Sequence, residues 1–273
     1  MNFEFSEEQH LLRDQARAFL AEFCPTNTVR AVLDSENEWD QALWQRVADM
    51  GWTATVIPEA YGGLGLSHYE LAILAEEMGR CVAPLPFSSS VYLASEAILA
   101  FGSEGQKSEW LPKLASGECV GTVAMWERPG ALTLEQLATR RQGDSVSGVK
   151  SPVPDAGVAD VVIVLARSEA GLEACLVATD QAGVQQQSVM TLDTSRGHST
   201  LTFDNAQAEV LGHCAIEPSA WERLIDGAAV MFAWEQLGVA ESALIQARDY
   251  ALQRFAFGRA IGSYQAIKHK LAA

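Results

Sequence analysis

The end of the chain contains an arginine in a position that could bind a phosphate group. In the stretch RFAFGRAIGSYQAIKHKLAA, Arg254 ends a long helical pattern and Phe257 with Gly258 turns the chain. A second helix is predicted to begin at Gln265. A guanidinium beside a helix N-terminus makes a good phosphate or pyrophosphate site. The alternative is that Arg254 binds the C-terminal carbonyls of its own helix, and the spacing alone does not separate the two interpretations.

An acid on an apolar helix face is the second candidate for chemistry. The face is a stripe of residues at helical spacing: Ile225, Ala228, Phe232 and Val239. Glu235 shares this stripe, so its carboxylate is predicted to be buried. A buried carboxylate can act as a general base, but the more ordinary expectation is a structural acid held by a partner.

Two other patterns are not interpreted as binding sites. The glycines of GGLG at positions 62–65 lack the G-x-G-x-x-G spacing and a surrounding βαβ unit, so they predict a plain loop. His213 and Cys214 are adjacent, but a metal site needs three or four ligands at workable spacing. The five cysteines are scattered singly, which is typical of reduced, buried thiols in the cytoplasm. No metal site is predicted.

Composition and charge limit the possible partners. The 273-residue chain is 48% apolar and has a formal net charge of -16 at pH 7, so nucleic acid is not an expected partner. It contains no run of 18 apolar residues, and its N-terminus, MNFEFSEEQH, is not a secretory signal. We therefore expect a cytoplasmic protein without a membrane span.

The residues up to Gly117 have a helical period. Capping boxes at Ser6 and Ser67 predict the starts of two helices, and Gly79 is predicted to end the second. The stretch SEGQKSEWLPKLASGE predicts another short helix that breaks at Pro112.

From Val120 to about Gly212 the period changes to two. The apolar runs DVVIVLAR and LEACLVATD are joined by SEAG, which predicts a hairpin. In STLTFD, Leu201 and Phe203 are predicted to lie on one face. Several short strands separated by turns favour a small β-barrel or sandwich.

The helical period returns near Trp221 and continues without a breaker to Arg254. The order of helices, strands and helices predicts an α+β fold with separate layers. We assign residues 1–118 to an N-terminal helical domain, 119–218 to a central β-barrel and 219–273 to the start of a C-terminal helical bundle.

Several stretches match, in order, the segments of one enzyme family. The pattern R-x-x-F-G-x-x-I-x-x-x-Q that begins at Arg254 resembles the FAD-binding corner of acyl-CoA dehydrogenases. FSEEQHLLRDQARAFLAE resembles their opening helix, PEAYGGLGLS their first loop, and GSEGQKSEWLPKLASGECVGTVA their entry into the β-domain. VADVVIVLA and LDTSRGHSTLTFDNAQAEVLG resemble later parts of that domain. The matches cover essentially the whole chain.

The resemblance implies a helical domain, a β-barrel and a four-helix bundle that builds dimers and tetramers. It implies FAD between barrel and bundle, with Arg254, Phe257 and Gln265 contacting the flavin cofactor of a neighbouring subunit. It also implies α,β-dehydrogenation of an acyl-CoA, a homologous partner subunit, and an electron-transfer flavoprotein or similar acceptor. Asp226 matches a family acid at the start of the long helix and is implied to contact the substrate.

The first flavin-side segment of the barrel departs from the family pattern. The family has T-E-P-G-x-G-S-D where this chain has MWERPGALTLEQ. Glu127 stands at the usual threonine, and Leu132 and Thr133 stand where glycine and serine are usual. The resemblance places Trp126 and Glu127 beside the cofactor.

The second flavin-side segment departs as well. The family has W-I-T-N where this chain has Pro152, Val153, Pro154 and Asp155. The resemblance places Val153 at the cofactor, but the prolines remove two backbone N–H donors and the aromatic contact. Together the changes indicate an impaired flavin pocket in this chain.

The catalytic glutamate of the family is not identified here. In the family it comes from a later segment or from the long helix, where the matching residue is Ala228. A family arginine slightly further along is replaced by Ala229. Glu235 lies roughly 10 Å from Ala228 along a helix, so no catalytic residue is assigned.

Three hypotheses follow from the sequence. The favoured one is a subunit with a degenerate flavin site in a heteromeric acyl-CoA dehydrogenase, of the kind that acts on bulky, steroid-like CoA thioesters. The second is an ordinary homotetrameric dehydrogenase whose catalytic glutamate lies beyond residue 273. The third is a structural subunit without catalysis. The last helix has no stop signal, so we expect a truncated chain or a bundle completed by another subunit.

Overall fold

The computed structural model describes residues 4–35, 39–130, 134–212 and 215–272. Leu132, Thr133, His213 and Cys214 lie outside the described residues.

Helices form the two ends of the described chain. They are α1 (Glu7–Phe23), α2 (Thr26–Leu33), α3 (Gln41–Asp49), α4 (His68–Cys81), α5 (Glu96–Phe101), α6 (Glu104–Ala115), α7 (Pro218–Gln253) and α8 (Gln265–Ala272). A π-helical segment, Ser88–Ser95, continues directly into α5.

Strands form the middle of the chain and one short hairpin after α7. They are β1 (Gly121–Ala124), β2 (Arg140–Gln142), β3 (Ser145–Pro154), β4 (Val161–Ser168), β5 (Gly171–Ala178), β6 (Val184–Ser188), β7 (His198–Gln207), β8 (Glu209–Val210), β9 (Phe255–Ala256) and β10 (Arg259–Ala260). The first eight form one curled sheet in the order β6-β7-β3-β2-β4-β5-β8, with β1 parallel to β4. The predicted α+β architecture is confirmed, and the exact domain boundaries stay predictions.

Local sequence signals explain several of these elements. Ser6 and Ser67 cap α1 and α4 through complete capping boxes, as predicted. The predicted hairpin is formed by β4 and β5, where Ser168 pairs with Gly171. Leu201 and Phe203 are buried on the same face of β7.

Gly79 does not end its helix, contrary to the prediction, because α4 continues to Cys81. It lies where α4 crosses α7: a Cβ at Gly79 would stand 2.0 Å from the carbonyl oxygen of Glu235. A Cβ at Gly238 on α7 would stand 1.9 Å from the carbonyl oxygen of Glu76. The two glycines therefore allow the two helix backbones to touch.

Pro112 does not break its helix either, and lies inside α6. Its carbonyl still accepts a hydrogen bond from the Ser116 N–H at 3.0 Å. Leu111 and Leu114 on either side are buried in the core. Packing of this last turn outweighs the hydrogen bond that proline cannot donate.

The helix α7 connects the sheet, the N-terminal helices and the far end of the chain. One face packs on α4 and on the π-helical segment through Trp221, Leu224, Ala228 and Met231. Among the described residues, α7 is also long and apolar enough to cross a membrane. The core helix of a bundle meets the same criterion, so the expected absence of a membrane span stays a prediction.

Candidate functional site

A cavity of about 350 Å³ lies between the curled sheet, the π-helical segment and α7. Most of its wall is apolar: Leu93, Met125, Trp126, Pro152, Pro154, Ile225, Ala228, Ala229 and Phe232. The polar side chains in the wall are Ser88, Arg196 and His198. A pocket of this size and composition can enclose a small apolar group.

Glu235 is buried behind this wall and both of its carboxylate oxygens are bound. Tyr92 donates its hydroxyl to Oε1 at 3.0 Å, and Arg196 donates from Nη2 to Oε2 at 2.6 Å. Arg196 also donates from Nη1 to Ser88 Oγ at 2.7 Å. Burial, and to a smaller extent the nearby negative charge of Glu235, raises the pKa of Tyr92 well above its usual value. The phenol therefore stays neutral. The expectation of a paired structural acid is confirmed.

The α7 position that matches the family base faces the cavity without a carboxylate. Ala228 and Ala229 both line the wall. Within the part of the chain that the structure describes, no aspartate or glutamate lines this cavity. The described wall therefore offers no group that could remove a proton from a bound acyl group.

The barrel side of the cavity is formed by Trp126, Pro152 and Pro154. The carbonyl of Trp126 accepts the Ser151 N–H at 2.8 Å. Val153, predicted to contact the cofactor, is fully buried in a separate apolar cluster inside the curled sheet. Its side chain therefore points away from the cavity, and the two prolines offer the cavity no N–H.

Glu127 is held inside the sheet by four hydrogen bonds. It accepts from Ala138 N and Thr139 N, each at 2.7 Å, from Thr139 Oγ1 at 2.6 Å, and from Lys150 Nζ at 3.2 Å. Burial acts to raise the pKa of Glu127, but these hydrogen bonds and the charge of Lys150 lower it to about 2. Burial lowers the pKa of Lys150 to about 8, against the attraction of Glu127. The contact of Glu127 with a cofactor stays a prediction.

The corner between α7 and α8 presents an unpaired guanidinium. Arg254 is exposed, and its side chain has no hydrogen bond or ion pair with any residue that the structure describes. Its N–H donates to the Tyr250 carbonyl, and its carbonyl accepts from Ile261 N, both at 2.8 Å. The described α7 is therefore capped by backbone rather than by the Arg254 side chain. Gln265 is exposed at the start of α8.

Phe257 at the tip of the same corner has an unusual backbone. Its φ is +54°, and its side chain is 97% exposed. A left-handed conformation is costly for a bulky residue, and such outliers concentrate at functional sites. Behind it, Arg259 stacks on Tyr264 at 3.9 Å and Tyr264 donates to the Ala256 carbonyl at 3.0 Å. These contacts support the hairpin that presents Phe257.

The corner and the cavity lie far apart along α7. Arg254 follows Ala228 by 26 residues along α7, which corresponds to roughly 39 Å of helix. The Arg254 corner and the cavity therefore cannot both contact the same end of one small ligand. Asp226, expected to contact substrate, is exposed near the cavity end of α7, and its role stays a prediction.

Models of known protein families match both helical ends of the chain. Residues 6–118 match the acyl-CoA dehydrogenase N-terminal domain, and residues 219–273 match the acyl-CoA dehydrogenase C-terminal domain. The acyl-CoA dehydrogenase IpdE2 of Mycobacterium tuberculosis is 30% identical over 97% of this chain, which covers 70% of IpdE2. The chain belongs to the acyl-CoA dehydrogenase family.

Two solved structures also resemble this chain. A variant of the Tcur3481-Tcur3483 steroid ACAD is 33% identical with a TM-score of 0.86, over 97% of this chain and 72% of the other. The ChsE4-ChsE5 complex from Mycobacterium tuberculosis is 26% identical with a TM-score of 0.88, over 100% of this chain and 74% of the other.

FAD is the cofactor of acyl-CoA dehydrogenases, and the residues of this chain fit its two halves unequally. The free guanidinium of Arg254 suits a pyrophosphate, and the exposed ring of Phe257 and amide of Gln265 suit a base. In the cavity wall, Pro152 and Pro154 offer a flavin ring no backbone donor. The fit is therefore to the nucleotide half.

The sequence did not predict the roles of Ser88 and Arg196 in the cavity wall, or of Tyr92 behind it. Ser88 and Tyr92 lie in the stretch SSSVYLASEAILAF, which falls within the predicted helical region but was assigned no element or role of its own. Arg196 lies in the segment LDTSRGHSTLTFD, which was used only as a resemblance. The available signal was a single arginine shortly before the predicted strand STLTFD.

Proposed function

We propose that this chain is one subunit of a heteromeric, FAD-dependent acyl-CoA dehydrogenase, and that its α7–α8 corner completes the FAD site of a homologous catalytic subunit. The observation that carries the proposal is Arg254, whose side chain has no partner among the described residues and lies on an exposed corner, roughly 39 Å along α7 from the cavity of its own chain. A guanidinium held in this way suits the pyrophosphate of a cofactor that lies mainly in another chain. Bound FAD supplies the acceptor for the hydride that leaves the acyl β-carbon.

The proposal assigns no proton transfer to the described cavity of this chain. Ala228 occupies the position of the family base on α7, and Glu235 is engaged by Tyr92 and Arg196. A general base must lie within hydrogen-bond reach of the proton that it removes. In this proposal the partner subunit supplies that base.

An exposed apolar surface on α7 supports an assembly with another subunit. Its side chains lie on the face of α7 that no described residue covers: Val230, Leu237, Leu244 and Leu252. Apolar helix faces of this kind are buried by neighbouring helices in bundles.

The proposed substrate class is a bulky, steroid-like CoA thioester, because the similar solved structures include a steroid ACAD. The proposed electron acceptor is an electron-transfer flavoprotein or a similar protein. The proposed location is the cytoplasm, in agreement with the free thiols of the four described cysteines.

Co-expression with a homologous subunit tests the proposed function. We expect the chain purified alone to be colourless and the co-purified assembly to be yellow and to reduce a dye when given an acyl-CoA. A yellow, active chain on its own would instead support a homotetrameric dehydrogenase. Absence of flavin in both preparations would support a structural subunit.

A further inference from the structure

The polar end of the cavity holds hydrogen-bond donors that no described residue uses. A guanidinium has five N–H groups. In Arg196, one N–H on Nη1 donates to Ser88 and one on Nη2 donates to Glu235, and the remaining three have no acceptor within the described residues. The side chain of Arg196 keeps 22% of its surface exposed, and Arg196 lines the cavity.

Ser88 provides a second donor at the same place. Its Oγ accepts the hydrogen bond from Arg196, and its own O–H has no acceptor within the described chain. Ser88 is buried and lines the cavity beside Arg196. Two donors on one side of a cavity match an oxygen with two lone pairs.

The charges around these donors disfavour an anion. The carboxylate of Glu235 binds Arg196 directly, and the charge of the buried Asp155 also acts on Arg196. Tyr92, which donates to Glu235, is neutral. Glu235 and Asp155 therefore offset the positive charge of the one guanidinium. The group that suits the donors is a neutral acceptor.

We propose that this cavity binds an apolar, ring-sized molecule through a neutral carbonyl oxygen, which accepts hydrogen bonds from Arg196 and Ser88. The apolar wall and the volume of about 350 Å³ fit a fused alicyclic skeleton. The inference rests on the proposed function in one respect: this subunit holds the molecule but does not dehydrogenate it. The carbonyl belongs either to a free ketone or to a ketone carried by an acyl-CoA.

The test is equilibrium dialysis of the co-expressed assembly against three matched probes: decalone, decalin and the decalin carboxylate. We expect decalone to bind on the order of tenfold more tightly than decalin, because only the ketone satisfies the donors. We expect the carboxylate to bind more weakly than decalone. Equal affinity for decalone and decalin, or tightest binding of the carboxylate, would overturn the inference. An acyl-CoA that carries the same ketone distinguishes the two sources of the carbonyl. If this acyl-CoA binds more tightly than decalone, the ligand is a ketone carried by an acyl-CoA.

Variants assign the effect to this chain rather than to its partner subunit. Ser88→Ala should weaken decalone binding by roughly threefold to tenfold and leave decalin unchanged. Arg196→Lys keeps a cation for Glu235 but loses the planar fork, and should also reduce the preference for decalone. Ser95→Ala is the control, because Ser95 is a buried serine of the same segment that bonds to the Ser90 carbonyl.

Failure of the inference and failure of the proposed function give different results. An assembly with FAD and dye reduction that keeps its decalone preference in Ser88→Ala and Arg196→Lys contradicts the inference alone. A decalone preference that depends on Ser88, in an assembly without FAD, contradicts the proposed function alone. Dehydrogenation of the ketone-bearing acyl-CoA in this chain's cavity would contradict the claim that it is held unchanged.

Discussion

Two charged residues, one inside α7 and one directly after it, have opposite surroundings. Glu235 is buried and binds Tyr92 and Arg196 with its two oxygens. Arg254 is exposed and has no side-chain partner within the described residues. The first therefore serves the fold of this chain, and the second is available to another molecule.

Glu235→Gln separates a structural role from a catalytic one. Glutamine keeps the shape and an acceptor oxygen but removes the negative charge that Arg196 binds directly. We expect the unfolding free energy to fall by about 2–3 kcal/mol. We expect the turnover of the assembly to stay within about tenfold of wild type, because loss of a true base usually costs on the order of a hundredfold or more. Thermal denaturation and dye-linked turnover, with flavin content measured in parallel, give both values. A thousandfold loss of turnover with flavin retained would make this chain the catalytic one.

Arg254→Ala is expected to reduce flavin occupancy without unfolding the subunit. A charge-assisted contact with a pyrophosphate is worth roughly 1.5–3 kcal/mol, which corresponds to about ten- to a hundredfold weaker FAD binding. FAD affinity of the assembly and the melting temperature are the two measurements. Arg248→Ala is the matched control, since Arg248 is an exposed α7 arginine that pairs with Asp249. Full flavin content together with a melting temperature several degrees lower would show that Arg254 serves only its own helix.

At the scale of elements, the crossing of α4 and α7 places the cavity wall. Gly79 and Gly238 let the two backbones approach so closely that either Cβ would overlap a carbonyl oxygen of the other helix. The same contact fixes the position of Glu235 along α7, next to Tyr92. The polar end of the cavity therefore depends on this crossing.

Gly238→Ala tests the crossing. We expect a loss of roughly 2–3 kcal/mol in the free energy of unfolding, because the added methyl group forces the helices apart. Gly227→Ala on the same helix is the control: a Cβ there meets nothing within 4 Å, and alanine should stabilise α7 by up to about 1 kcal/mol. Urea unfolding measures both changes. Equal effects of the two substitutions would contradict the close contact.

The acid Glu127 joins the end of β1 to β2 and β3, and its effect depends on pH. Its pKa is about 2 in the folded chain, below the ordinary 4.5. Its stabilisation is therefore fully present above pH 4.5 and is lost as the pH falls towards 2. Glu127→Gln should be less stable at neutral pH and should lose less further stability between pH 4.5 and 2. Urea unfolding at several pH values checks this, with Glu135→Gln, an exposed glutamate, as the control. An unchanged pH dependence in Glu127→Gln would contradict it.

The elements that were predicted correctly carry their signals locally. The capping boxes at Ser6 and Ser67 and the β4–β5 hairpin depend on residues only a few positions apart. The wrong predictions depend on distant segments. Gly79 resembles a helix stop until α7 is placed against it, and Pro112 resembles a break until its neighbours are seen in the core. The pairing of Arg196 with Glu235 and Ser88 joins three separate elements, so no local pattern could reveal it.

At the scale of the whole molecule, the two ends of α7 serve different sites. One end lines the cavity of this chain, and the other presents Arg254, Phe257 and Gln265 outward. Between them lies the exposed apolar face that we expect a partner subunit to cover. This separation is the basis for placing the FAD mainly in the partner.

The amount of FAD in the co-expressed assembly distinguishes a flavin held mainly by the partner subunit from one held by this chain. FAD is released from the purified complex by denaturation, and its absorbance is compared with the amount of each subunit. We expect one FAD for each pair of unlike subunits and none in this chain purified alone. Two FAD molecules for each pair, or a stable yellow preparation of this chain by itself, would contradict it.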